Sequence, residues 1–325
     1  MKATRLPSGG TIGVPAPASP YHNRSDVLRG IEWWEAQGYR VKTAPGIYAR
    51  DGWVAGDPVE RAADVMAMFA DDDIDVVQCL QGGYGAAQLI PHLDFDVIAH
   101  NPKPFVGYSD ITALHTAIRH HTGLVTFYGP GLAGVDDSER DRDQRKFVQQ
   151  HLLRALTSTD ALGKVARRPD DDYLRALSGG RISAEMVGGC LWLLGQTIGT
   201  PWQISLDGKI FFFEDVHAPA WYIDGILNQM TQSGMLNEVV GVVVGELVDC
   251  DWKENAADFP QMLSIEDVLE RYLEPLSVPV LYGLPLGHGK HLVTTPLGTE
   301  VTLDADERTL TLDEPALEAR PAEWS

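Results

Sequence analysis

The sequence predicts an α/β protein of two domains, and three observations carry that reading. Short apolar runs alternate with helical patterns through the first half. A polar, acidic stretch with Pro169 and a run of aspartates interrupts the pattern after Thr157. The tail over residues 294–312 alternates apolar and polar residues in short pieces, EVTLD and RTLTLD. Alternation of the first kind implies a parallel sheet with helices on both faces, and the tail implies antiparallel strands closing the second domain. A length of 325 residues also exceeds one comfortable core. The expected division is 1–157, a linker over 158–172, and 173–325.

The elements follow in order. TIGV at 11–14 reads as a strand. Residues 24–38 read as a helix with Val27, Leu28, Ile31 and Trp34 on one face, ended by Gly38. A strand over 39–42, a helix over 59–70 and a strand over 74–80 come next, with the acidic run from Asp71 ending the helix. A short helix over 86–93, a strand over 105–107 and a helix over 110–120 complete the alternation. Residues 139–156 form a charged amphipathic helix. After the linker, helices are expected at 190–198, 221–232 and 264–273, and strands at 210–213 and 239–247. Ile223, Ile226, Leu227 and Met230 stand at helical spacing, and Ser264 opens its helix in a capping-box-like start.

Composition narrows the function classes. Hydrophobic residues make up 44% of the chain, which excludes a disordered protein. Asp and Glu number 46 against 26 Lys and Arg, for a formal charge of −20. That balance repels nucleic acid and anionic membrane, and an anionic substrate needs a local basic pocket. The N-terminus has no apolar signal core, and no apolar run reaches about 18 residues. Cys79, Cys190 and Cys250 are widely spaced and read as buried free thiols of a reducing compartment, so a cytoplasmic protein is expected.

Three reactive residue types sit beside glycines at strand ends, the edge where open parallel sheets build sites. Ser109 lies at a sharp strand-to-helix corner in GYSDITALH. Such a corner suits a nucleophile whose oxyanion is held by following amides, and it equally suits a helix cap by Ser109 or Asp110. Glu214 leaves the apolar run KIFFFEDV beside Asp215, either to orient an imidazole or simply to enter solvent. His288 in LPLGHGKH has glycine on both sides, which permits unusual backbone angles; a loop histidine without a role is the alternative, and His291 competes. The order Ser, acid, His is one in which catalytic triads occur. Gln81, Gly82, Gly83, Tyr84 and Gly85 follow a strand and precede a helix. They fit a second amide donor, a tight turn, or a phosphate loop, although GxGxxG and GK[ST] are absent.

These pieces together resemble the LD-carboxypeptidase family of serine peptidases, which includes the microcin C self-immunity hydrolases. The resemblance runs from TIGVPAPASP through QGGYGAAQLIPHLD and KPFVGYSDITALH to VGGCLWLLGQTIGTPW, FFFEDV and GLPLGHGKHLVTTPLG. It implies a Rossmann-like N-terminal domain joined to a smaller, mostly β C-terminal domain. It implies Ser109 as nucleophile, Glu214 as orienting acid, His288 as general base, and the Gly83 and Asp110 amides as oxyanion hole. It also implies a homodimer with neither metal nor organic cofactor. The substrate class it implies is a muropeptide tetrapeptide that loses its C-terminal D-alanine; an aminoacyl-nucleotide amide of the microcin type and a non-catalytic peptide-binding module are the alternatives. Gln81, Gly82, Tyr84 and Lys290 are candidate substrate contacts, with Arg181 and Lys103 as further candidates for the substrate carboxylate. Trp192, Trp202 and Trp221 could stack on a base, a core role being the competing expectation. Gln81, Cys190, His217 and Gly225 depart from the family's usual Arg, Asn, Glu and Arg.

Overall fold

The computed structural model describes residues 1–21, 23–169, 173–251 and 263–320. They form two compact units, each with its own sheet. The first comprises Met1–Leu162, Lys290–Gly298 and the segment from Glu314; the second comprises Gly163–Gly289 and Thr299–Asp313.

The first unit contains β1 (Thr11–Val14), α1 (Arg24–Ala36), β2 (Arg40–Thr43), α2 (Pro58–Ala70) and β3 (Val76–Gln78). A 3₁₀ helix, Ala86–His92, and α3 (Phe95–His100) lead to β4 (Phe105–Gly107). A 3₁₀ turn, Ser109–Ile111, precedes α4 (Thr112–Thr122), followed by β5 (Thr126–Tyr128), α5 (Leu132–Val135) and α6 (Arg142–Thr157). Helix starts are set by side chains that take orphan amides: Asn23 for α1, Asp57 with Pro58 behind it for α2, Asp94 for α3, and an Asp141–Gln144 capping box for α6. Val27 and Trp34 face the core as expected, but Leu28 is exposed. Gly30 is buried in their stripe because α1 lies so close to Leu132 that a Cβ there would strike its carbonyl.

Strands β2, β1, β3, β4 and β5 lie side by side, all parallel, in that order. The chain steps outward from β1 to β2 and then crosses back to β3. The connections leaving β1 and β3 therefore diverge at their carboxyl ends, which is where such sheets open a crevice.

The second unit contains β6 (Gly163–Lys164), β7 (Arg175–Ser178), β8 (Arg181–Cys190), α7 (Leu191–Thr197), β9 (Ile210–Val216), α8 (Ala220–Gln232) and β10 (Gly241–Val248). It continues through α9 (Ile265–Leu273) and β11 (Val280–Tyr282). The tail contributes β12 (Thr295–Leu297), β13 (Glu300–Asp304) and β14 (Thr309–Leu312). The eight-stranded sheet runs β6-β14-β13-β8-β9-β10-β11-β7. Its centre, β8 to β11, is parallel, and antiparallel strands flank it. Ile223, Ile226, Leu227 and Met230 of α8 are buried together with Phe211 and Phe213 of β9 in one apolar core.

Several expectations need correction. The segment 158–172 is not a plain linker, because β6 pairs there with β14; Asp170, Asp171 and Asp172 lie outside the described residues. Residues 290–298 and those from Glu314 belong to the first unit, not to a contiguous 173–325. Only β13 and β14 of the tail close the second sheet, whereas β12 pairs antiparallel with β5 as an edge of the first, where Pro296 is tolerated. Cys190 ends β8 and only caps α7. Strand β8 escaped the sequence reading because its first half pairs antiparallel with β13 and its second half parallel with β9, so no single alternation runs through it.

That second half depends on glycine. Gly188 sits opposite Phe212 with φ near 154°, and a Cβ there would overlap the Phe212 carbonyl oxygen. Gly188→Ala is expected to destabilise the protein by about 4 kcal/mol or more, since backbone cannot yield as a side chain does. Urea unfolding checks this, and a midpoint equal to wild type would refute the packing.

Candidate active site

The first unit builds a strained corner. Ser109 follows β4 with φ of 61°, a left-handed conformation that costs energy for any residue with a Cβ. Its neighbours impose it. The Gly107 carbonyl accepts from the Gly129 amide at 3.1 Å and from His115 Nε2 at 2.9 Å. The Ser109 amide donates to the Tyr128 hydroxyl at 3.0 Å. Neither Ser109 nor Asp110 caps with its side chain the helix that follows it, so the local capping alternative is removed. The Asp110 carboxylate instead accepts the Ala86 amide at 2.7 Å.

The Gly82–Gly85 loop lies against this corner. A Cβ at Gly82 would stand 2.8 Å from Ser109 Cβ, so glycine is what allows the two turns to meet. Gly83 has φ of 110° and packs on Ser19, whose Oγ accepts the Tyr84 amide at 3.0 Å and whose amide donates to the Gly82 carbonyl at 3.3 Å. Ser19 comes from the loop after β1, so the contact lies at the divergence of β1 and β3. Gln81 donates through Nε2 to the Ser19 and Pro20 carbonyls, and the Tyr84 ring is exposed. The phosphate-loop alternative fails, since Asp110 already occupies the amide at the start of a proline-containing 3₁₀ helix.

The second unit holds an acid–imidazole pair. The aromatic run Phe211, Phe212 and Phe213 anchors β9 in the core, and Glu214 remains fully buried at its end rather than entering solvent. Glu214 Oε2 accepts His288 Nδ1 at 2.7 Å and the His288 amide at 3.2 Å. A proton on Nδ1 leaves Nε2 as the basic nitrogen. Gly287, at φ of 125°, makes the pair possible: a Cβ there would overlap the Glu214 carboxylate. Gly289 likewise leaves room for Glu246, which Arg168 holds at 2.9 Å. His291, the competing histidine, is buried in the first unit, edge-on to Phe147.

Asp215 is buried too, and accepts the Trp192 and Val216 amides at 2.8 Å each. Burial, reinforced by the Glu214 charge, pushes its carboxyl up to about 6, against the pull of those amides. A raised acid contributes stability that is full below about 3.8 and lost as pH rises through about 6. His115, buried beneath the Ser109 corner, is pushed down to about 4 by burial. Its contribution is full above about 6.5 and lost as pH falls through about 4. The two slopes oppose each other between those limits. Asp215→Asn removes one of them, so its stability relative to wild type should rise by about 2 kcal/mol from pH 4 to pH 7. Parallel curves in a urea series over that range would contradict the assignment.

Other candidates disperse. Lys103 is buried with its ammonium on the Met68 and Asp71 carbonyls, so it is a structural cation and not a substrate contact. Arg181 is exposed beside Asp304, and Lys290 donates to the Glu139 carbonyl at 3.0 Å. Trp192 and Trp221 are exposed, contrary to the core expectation; Trp192 stacks on Tyr222 with centroids 4.3 Å apart. His217 has φ of 57° and lies 3.4 Å from Asp249, and Gly225 faces open space. Cys79, Cys190 and Cys250 are buried free thiols. Among the described residues, no helix is long and apolar enough to cross a membrane, and no cluster of His, Cys, Asp or Glu is placed to hold a metal.

The sequence reading missed Ser19, Tyr128, the Asp110 carboxylate and Arg61. Only Arg61 left a signal: it is a charge on the stripe of α2 that also buries Ala62, Val65, Met68 and Phe69.

The pattern of the LD-carboxypeptidase N-terminal domain matches residues 12–129, and that of the LD-carboxypeptidase C-terminal domain matches residues 183–303. A probable murein peptide carboxypeptidase of Bacillus subtilis is 35% identical over 96% of this chain and 94% of its own length. The crystal structure of muramoyltetrapeptide carboxypeptidase from Oxalobacter formigenes superposes with a TM-score of 0.77 at 28% identity, covering 94% of this chain and 99% of that one. The structure of MccF in complex with glutamyl sulfamoyl guanosine has the same fold, with a TM-score of 0.88 at 23% identity over 98% of this chain and 99% of that one.

Proposed function

The chain belongs to the LD-carboxypeptidase family, and from that premise we propose that it is a serine carboxypeptidase releasing a C-terminal D-amino acid, D-alanine, from a muropeptide tetrapeptide. The observation that carries the serine mechanism is the Ser109 corner: a hydroxyl held at φ of 61° at a strand end, with no capping role to explain it. The substrate class is drawn from the names of the relatives.

In this reading His288 Nε2 takes the Ser109 proton as Oγ attacks the carbonyl of the L-configured residue. The Gly83 and Asp110 amides hold the oxyanion. Glu214 fixes the imidazole tautomer and stabilises its charge. The same imidazole then gives the proton to the departing amine, leaving an acyl ester on Ser109. Water, deprotonated by His288, cleaves the ester and frees the enzyme. Gln81, Gly82, Tyr84 and Lys290 remain the proposed substrate contacts. The proposal includes a cytoplasmic homodimer working without metal or organic cofactor.

A second reading, hydrolysis of an aminoacyl-nucleotide amide, is favoured by the exposed Trp192, which is backed by the partly buried Tyr222 and offers a ring face to a base. Mass spectrometry of each substrate after incubation separates the readings. Loss of one alanine from the tetrapeptide with wild type, and not with Ser109→Ala, is the expected result. Cleavage of the nucleotide conjugate alone would favour the second reading, and binding without turnover of either would indicate a peptide-binding module.

A further inference from the structure

Arg61 is a buried guanidinium whose hydrogen-bond partners include no carboxylate. It lies in the first turn of α2 and spends its donors on four oxygens: Gly56 O at 2.9 Å, Pro17 O at 2.6 Å, Gly85 O at 3.0 Å and Gln88 Oε1 at 2.7 Å. Three of these are backbone carbonyls, from the loop after β1, the loop before α2 and the glycine loop after β3. Burial lowers the basicity of the group, and the charge of Asp110 works the other way. A buried cation is expensive unless its hydrogen bonds are met, and here the loops meet them.

The arrangement becomes specific at one peptide group. Arg61 holds the carbonyl of Gly85, and the Asp110 carboxylate holds the amide of Ala86 at 2.7 Å. These are the two ends of the same peptide plane. Opposite charges therefore grip it from both sides and fix its orientation. Gly85 needs this, because at φ of 100° it has no side chain to define the turn. Ser19 pins the other side of the loop through the Gly82 carbonyl and the Tyr84 amide. Gly83 lies between the two residues that Ser19 holds, two positions before the peptide gripped by Arg61 and Asp110. Asp110 enters twice, since its carboxylate grips the loop and its own amide follows Ser109.

We infer that Arg61 is a positioning residue that acts through the Gly85–Ala86 peptide and Asp110 to set the oxyanion-binding amides of Gly83 and Asp110. The inference rests on the serine-hydrolase reading above. Arg61 touches no reacting atom; it determines where the donors stand. Misplacing a donor costs transition-state binding and leaves ground-state binding largely intact. Loss of Arg61 should therefore lower kcat and leave KM nearly unchanged.

The test uses Arg61→Ala and Arg61→Lys in the full chain, with tetrapeptide kinetics, the urea midpoint, and the rate of Ser109 labelling by a fluorophosphonate. In the labelling reaction Oγ bonds to phosphorus, fluoride leaves, and the proton passes to the base. It reads the oxyanion site whatever the natural substrate. For folded variants we expect kcat to fall about 100-fold or more with KM within about 3-fold, and labelling to slow in parallel. Guanidinium ion at low, non-denaturing concentration should restore part of the Arg61→Ala rate, which a merely structural loss would not allow. If Arg61→Ala does not fold, Arg61→Lys carries the same expectations for kcat, KM and labelling. Unchanged kcat and labelling in a folded Arg61→Lys, or equal losses in kcat/KM through KM alone, would overturn the inference. Wild type that labels at Ser109 but leaves the tetrapeptide intact would count against the substrate reading only, and the labelling comparison would still decide the role of Arg61.

Discussion

Ser109→Ala is expected to lower kcat on the tetrapeptide by about 10⁴- to 10⁶-fold, the range seen when a triad nucleophile is removed. The loss should appear in kcat and not in KM, because the hydroxyl is spent on bond formation. Stability should change by less than about 1 kcal/mol. The corner is imposed by Gly107, Tyr128 and the glycine loop rather than by the Ser109 hydroxyl, so alanine inherits the same φ. Steady-state kinetics and a urea midpoint on one preparation separate the two effects. Residual turnover within tenfold of wild type would move the nucleophile elsewhere.

Glu214→Gln is expected to lower kcat by about 10⁴-fold while the protein still folds. The carboxylate presents its Oε2 to both the ring and the backbone N–H of His288. A carboxamide of the same size can turn its NH₂ toward Nδ1, which then must accept. The ring proton moves to Nε2, and the nitrogen meant to take the serine proton is no longer basic. Glu214→Ala should cost activity and also stability, since it leaves a partly buried imidazole N–H without its acceptor. A Glu214→Gln enzyme with a wild-type pH–rate profile and kcat would show that the tautomer does not matter.

Much of the fold is legible locally because each element carries its own signals. The α2 and α9 helices begin where Asp57 and Ser264 take the first amides, and IFFFEDV reads as a buried strand from its phenylalanines alone. From local signals the candidate site is legible only as three separate suspects, which the family resemblance joins into one. What no local pattern could express is partnership. The Asp110 carboxylate looks like a cap and reaches across to Ala86. Lys103 looks like a free cation and closes two carbonyls near the end of α2. Strand β12 lies in the same tail as β13, only two residues before it, yet pairs with β5 in the other sheet.

By itself the sequence determined the α/β class, the family, and which residue types stand at strand ends with glycine beside them, because periodicity, capping and motif are short-range properties of the chain. Only the tertiary structure decided that Glu214 stays buried and receives the His288 imidazole, that Ser109 is bent into a left-handed corner, and that Arg61 and Asp110 share one peptide plane. Those facts follow from hydrogen bonds closed between residues dozens of positions apart, whose energies depend on burial and orientation that no stretch of sequence contains.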